Sequence, residues 1–121
     1  MNILVVDDST AIRKILIRVL RQTALAISEI FEARDGVEAL EIVRNHPLNL
    51  VLSDINMPNI DGLALLAELK GSEQWRSLPV VMITTEGSEE KVSQAIRLGS
   101  AAYIRKPFTA EQIKEKLAGL F

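Results

Sequence analysis

The stretch Ile3-Leu4-Val5-Val6-Asp7-Asp8 decides the fold. Four apolar residues run without alternation and end on two carboxylates. An unbroken apolar run suits a strand covered on both faces, as in a parallel sheet, rather than a strand with one wet face. Working outward, four more short runs follow, at residues 27–31, 50–52, 80–83 and 101–104. The runs at 50–52 and 80–83 are also unbroken, which predicts central strands. Those at 27–31 and 101–104 are mixed, which predicts places nearer the edges.

Between the runs the period becomes helical. Ile12, Ile15, Leu16, Val19 and Leu20 fall on one helix face. Asp35-Gly36-Val37-Glu38 reads as a capping box, with Val37, Leu40 and Val43 as the next buried stripe. Asp61-Gly62 reads as the cap and first residue of a third helix, marked by Leu63, Leu66 and Leu69 and ending near Gly71. Val92, Ala95, Ile96 and Leu98 mark a fourth, stopped by Gly99. Thr109-Ala110-Glu111-Gln112 is a second capping box, before the stripe Ile113, Leu117 and Leu120. All four prolines, at 47, 58, 79 and 107, fall in connections. Strand then helix, five times over, predicts an α/β domain: a parallel sheet with right-handed crossovers and helices on both faces. The repeats use up residues 1–121, so a single domain is expected.

Composition removes several function classes. With no cysteine among 121 residues, thiolate zinc sites, iron–sulfur clusters and thiol catalysis are excluded. A single histidine excludes a His-rich metal site. A net charge of -2 argues against direct nucleic-acid binding, which needs a basic patch. No basic leader precedes the first apolar run, and no run approaches the roughly 20 residues of a membrane span. A cytoplasmic protein that does not enter the membrane is the expectation.

Parallel sheets bind ligands beyond the carboxyl ends of their strands. The first run ends at Asp7-Asp8, the third at Ser53-Asp54, the fourth at Thr84-Thr85 and the fifth at Arg105-Lys106-Pro107. Three carboxylates, a hydroxyl and an ammonium then share one edge. Like charges raise one another's pKa, so the acids need cations. Lys106 supplies one. A Mg²⁺ ion, which favours one or two carboxylates with waters and a phosphate oxygen, supplies the rest. That set suits phosphoryl chemistry, with a carboxylate as nucleophile. Taken singly the residues have plainer roles: Asp8 or Ser9 caps a helix, Asp54 forms a turn, and Lys106 is solvated surface. Local capping does not explain the whole set.

The ordered set Asp7-Asp8, Asp54-Ile55-Asn56-Met57-Pro58-Asn59-Ile60-Asp61-Gly62, Thr84, Tyr103 and Lys106-Pro107-Phe108 resembles the receiver domain of two-component response regulators. The likeness spans the whole chain and is greatest to single-domain chemotaxis regulators. It implies a flavodoxin-like fold with strand order 2-1-3-4-5. It implies Asp54 as phosphoacceptor, taking a phosphoryl group from a sensor histidine kinase. Asp7, Asp8, Asp54 and the Asn56 carbonyl would hold Mg²⁺, Lys106 and Thr84 would bind the phosphoryl oxygens, and Tyr103 would follow Thr84 inward. Asn56 and Glu86 would tune the phosphoryl lifetime, to minutes or less. Glu90, Lys91, Gln94, Tyr103 and Lys116 would report the change on the surface of the fourth helix, fifth strand and fifth helix. The downstream target is then a protein, such as the flagellar motor or another effector.

Competing readings are weaker. A haloacid-dehalogenase-type phosphatase wants Asp-x-Asp after the first strand, whereas here the acids are adjacent. The turn Asp7-Asp8-Ser9-Thr10 lacks the glycines of a dinucleotide or P-loop fingerprint. A receiver cut from a transcription factor of the winged-helix kind would carry an acidic pair before Tyr103. Ala101-Ala102 stands there instead, so a stand-alone monomer is expected. His46 reads as loop surface, Trp75 as a packing anchor, and Met57 as packing under the loop after Asp54.

Overall fold

The computed structural model describes residues 1–84 and 89–120. Ten elements alternate: β1 (Asn2–Val6), α1 (Thr10–Arg21), β2 (Glu29–Ala33), α2 (Gly36–Asn45), β3 (Leu50–Asp54), α3 (Gly62–Lys70), β4 (Val80–Thr84), α4 (Glu89–Arg97), β5 (Ala102–Arg105) and α5 (Ala110–Ala118). The five strands form one parallel sheet in the order β2-β1-β3-β4-β5.

Unbroken apolar runs are explained by two cores, one on each face. Leu4 and Val6 of β1 join Val51, Val80 and Met82 against Leu40, Leu65, Leu66 and Leu69 of α2 and α3. Ile3 and Val5 join Leu50, Leu52, Val81 and Ile83 against Leu16, Leu20, Ile113 and Leu117 of α1 and α5. Each full burial of such a side chain contributes about 1.5–3 kcal/mol. Strands β3 and β4 are buried at every position, whereas β2 and β5 are mixed and stand at the edges, as their composition predicts.

Several expectations need correction. Strand β2 starts two residues later than the apolar run at 27–31, because Ile27 packs as part of the connection while Glu29 pairs with Asn2. Val37, Ile15, Ile96 and Leu98 are exposed rather than buried. The buried stripe of α2 is Ala39, Leu40 and Val43, and that of α4 is Val92 and Ala95. On α3, Leu65 is fully buried while Leu63 only packs at the margin. The first capping box is half formed. Asp35 accepts from the Glu38 amide, but Glu38 accepts from the Arg34 amide, not that of Asp35. The second box, Thr109 with Gln112, is complete. Gly99 takes φ 101°, a left-handed stop that suits glycine.

Candidate functional site

Register builds the site. Val6 lies opposite Ser53, so the residues that follow, Asp7 and Asp54, leave neighbouring strands side by side. Asp54 lies opposite Ile83, which puts Thr84 one position beyond it on the next strand. Thr84 pairs with Arg105, and the Lys106 amide donates to the Thr84 carbonyl at 2.6 Å. The chain separation of 99 residues between Asp7 and Lys106 thus closes to a 2.8 Å ion pair.

Asp7 and Asp54 are buried, at 1% and 5% exposure, whereas Asp8 is exposed. Ligand oxygens of Asp7, Asp8 and Asp54 lie within 4.8 Å of one another. Lys106 Nζ stands 3.6 Å from Asp54 Oδ2. The other oxygen, Asp54 Oδ1, is buried with no hydrogen-bond partner, alone in this among the described residues. Burial pushes the Asp54 carboxyl above its ordinary value. The Lys106 ammonium opposes that shift and the Asp7 charge adds to it. An orphaned buried oxygen on Asp54, the buried Asp7 beside it and the exposed Asp8 fit a hard divalent cation.

Neighbouring elements hold these groups in place. Ser9 caps α1, accepting from the Ile12 amide at 3.3 Å, so the capping role falls to Ser9 and leaves Asp8 at the site. Asp7 Oδ1 accepts from the Ser9 amide at 2.9 Å. Arg13 donates to the Asp7 carbonyl at 2.6 Å and to Glu32 at 3.0 Å. Beyond Asp54, Gly62 donates to the Ile55 carbonyl at 2.8 Å, and a Cβ on Gly62 would run into the Asp54 carbonyl. Asp61 caps α3 through the Ala64 amide at 2.8 Å.

Tyr103 is half-buried beside Ile104, Arg105, Gln112 and Lys116, with Lys116 Nζ 5.5 Å from its ring centroid. Glu89 reaches Arg105 at 3.5 Å, tying α4 to β5. Gln94 instead lines a groove with Leu63 and Ala64 of α3. Lys91 turns to Asn56, donating to its Oδ1 at 2.7 Å. Glu90 is exposed, and Glu86 lies outside the described residues. Sequence reasoning missed Arg13, the Asp35–Asn59 bond of 2.9 Å and the Lys91 contact. None of these bonds lies within one element, so no local pattern marks them. Met57 and Trp75 pack against the core as expected, and His46 is exposed, with its ring 4.4 Å from Phe31.

With this geometry in view, the comparisons agree. The sequence profile of the response regulator receiver domain matches residues 3–118. The chain is 40% identical over 121 residues to chemotaxis protein CheY-3 of Vibrio cholerae, covering 100% of this chain and 92% of that one. The structure of chemotaxis response regulator CheY4 of Vibrio cholerae superposes with a TM-score of 0.88 at 31% identity, covering 99% of this chain and 98% of the other. The Mn²⁺-bound form of response regulator Rcp1 gives 0.83 at 30% identity, covering 98% and 90%. The chain belongs to the response regulator receiver domain family, the phosphorylatable modules of two-component signalling. Its fold is the flavodoxin-like fold of those relatives. Among the described residues, no helix is long and apolar enough to cross a membrane.

Proposed function

We propose that this protein is a receiver that takes a phosphoryl group on Asp54 from a sensor histidine kinase and passes the signal through α4, β5 and α5. The observation that carries this reading is the buried Asp54, with one unpartnered oxygen, set beside the Asp7–Lys106 ion pair. Asp7, Asp8, Asp54 and the Asn56 carbonyl would hold Mg²⁺, and the Mn²⁺-bound relative supports a divalent site. When bound, the ion neutralises charge on the acids and on the transferring group.

The chain's own groups do the rest. An Asp54 carboxylate oxygen attacks phosphorus, forming the O–P bond as the N–P bond to the donor imidazole breaks. The electron pair leaves with the imidazole nitrogen, which takes up a proton. Lys106, already 2.8 Å from Asp7, balances the added negative charge. Thr84, one position beyond Asp54 on β4, turns its hydroxyl toward the phosphoryl oxygens. Those contacts favour one arrangement of the loops over the other, which is a shift of populations. Tyr103 moves into the space that Thr84 vacates, and the surface carrying Glu90, Lys91, Gln94 and Lys116 changes with it.

The two relatives named for chemotaxis support an output in that system, through a flagellar or other effector protein. Exposed Ala101, just before edge strand β5, and half-buried Ala102 at its start, in place of acids, support a monomer over a dimerising transcription-factor receiver. Beryllofluoride with Mg²⁺ tests the switch. The expected result is amide shift changes at Thr84, Tyr103 and α4 with no change in molecular size. No shift at Thr84 and Tyr103, or a dimer on adding the adduct, contradicts it.

A further inference from the structure

The connection after Asp54 is held by two side-chain ties of different character. Toward α2, Asn59 donates to Asp35 Oδ2 at 2.9 Å, and the Gly36 amide donates to the Ile60 carbonyl at 3.1 Å. Asp35 is buried, and Asn59 takes a left-handed φ of 65°. A tie made by a buried carboxylate is costly to break. Toward α4, Lys91 Nζ donates to Asn56 Oδ1 at 2.7 Å in an exposed position. This bond starts two residues past Asp54 and ends on the first turn of the helix that follows β4. It therefore crosses the gap between the strand ends that carry Asp54 and Thr84. An exposed bond of this kind, partly offset by water, can open and close.

We propose that the Lys91–Asn56 bond is a latch across the mouth of the Asp54 site, with Lys91 as a positioning residue that sets the phosphoryl lifetime. The inference rests on Asp54 being the phosphoacceptor. Loss of the group is a hydrolysis. A water oxygen attacks phosphorus, the bond from phosphorus to the Asp54 oxygen breaks, and its electron pair returns to the carboxylate. The water gives up a proton to solvent, and inorganic phosphate leaves. With the latch closed, Lys91 holds the Asn56 carboxamide on the solvent side of the phosphoryl group and limits the approach of water. With it open, Asn56 swings free and water arrives more often. The same bond makes α4 part of the wall of the site, so the helix that would carry the output also guards the phosphoryl group.

A double-mutant cycle tests this. Full-length wild type, Lys91→Met, Asn56→Ala and the double variant are labelled with radioactive acetyl phosphate and Mg²⁺, and label loss is timed. Lys91→Met should shorten the half-life about three- to fivefold, the size expected for one exposed charge-assisted bond. Lys91→Arg should restore most of it, and the double variant should lose label no faster than Asn56→Ala alone. Hydrogen exchange of residues 54–61 without phosphodonor gives a second readout. It should rise in Lys91→Met and in Asn56→Ala by the same amount. A half-life unchanged in Lys91→Met, or effects that simply add in the double variant, overturns the latch while leaving the phosphoacceptor reading intact. A wild type that takes no label overturns that reading, and the lifetime role with it, whatever hydrogen exchange shows.

Discussion

The two ends of the sheet differ in a way that instructs. At the amino ends of the strands, a groove of about 590 Å³ is lined by His46, Pro47, Trp75, Leu78 and Pro79 among others. It is a wide groove, yet its side chains form no charged cluster. At the carboxyl ends, two buried acids and a lysine crowd together with an orphaned oxygen. Space marks the first end and unrelieved charge marks the second. Chemistry follows the charge, because burial makes an unpaired carboxylate oxygen costly unless a ligand completes it.

Substitutions should separate the ends, beginning with the largest effect. Leu78→Ala, at the roomy end, should cost about 2–4 kcal/mol of stability through cavity formation. Urea unfolding reads that, and phosphodonor labelling of the folded fraction should be unchanged. Loss of labelling without loss of stability would erase the distinction. Asp35→Ala lies at the charged end but holds structure, so it should cost about 1–2 kcal/mol through loss of the α2 cap. Hydrogen bonds from Glu38 and Asn59 hold the Asp35 carboxyl below its ordinary value of 3.8. Its folded pKa is lower than its unfolded one. Its stabilisation is therefore present above about pH 4 and lost as pH falls through the folded value.

Asp54→Asn should act in the opposite direction. The Asp54 carboxyl is raised by burial, so its folded pKa exceeds its unfolded one and ionisation opposes folding. Any benefit is present below the unfolded value and is lost as pH rises through the folded value. Removing the charge should then raise the melting temperature of the metal-free protein at neutral pH by about 2–5 °C. The Mg²⁺-induced gain in melting temperature should shrink at the same time. A drop in melting temperature would show that Lys106 already satisfies the acids. The smallest effect belongs to Val37→Ser. Val37 is half exposed, so stability should stay within about 0.5 kcal/mol of wild type.

Much of this was legible in the chain, for reasons that particular residues make plain. Val80 to Ile83 are buried on both faces, and a strand so covered must be apolar throughout. Asp7, Asp54, Thr84 and Lys106 could be grouped because parallel strands send their carboxyl ends to one edge. Val37 and Ile96 misled because an apolar residue at helical spacing need not face the core, and α2 and α4 bury smaller residues such as Ala39 and Ala95. Lys91 looked like a surface reporter, since nothing local links it to a residue 35 positions earlier. Such ties are set by how helices pack, which hydrophobic period does not encode.

The most direct measurement is to label the protein with acetyl phosphate in Mg²⁺, digest it and map the acid-stable, hydroxylamine-sensitive peptide. The label should sit on Asp54, require the divalent ion, and vanish in Asp54→Asn. Label that persists in Asp54→Asn, or that forms equally well in chelator, would contradict the assignment of this edge of the sheet as a phosphoryl site.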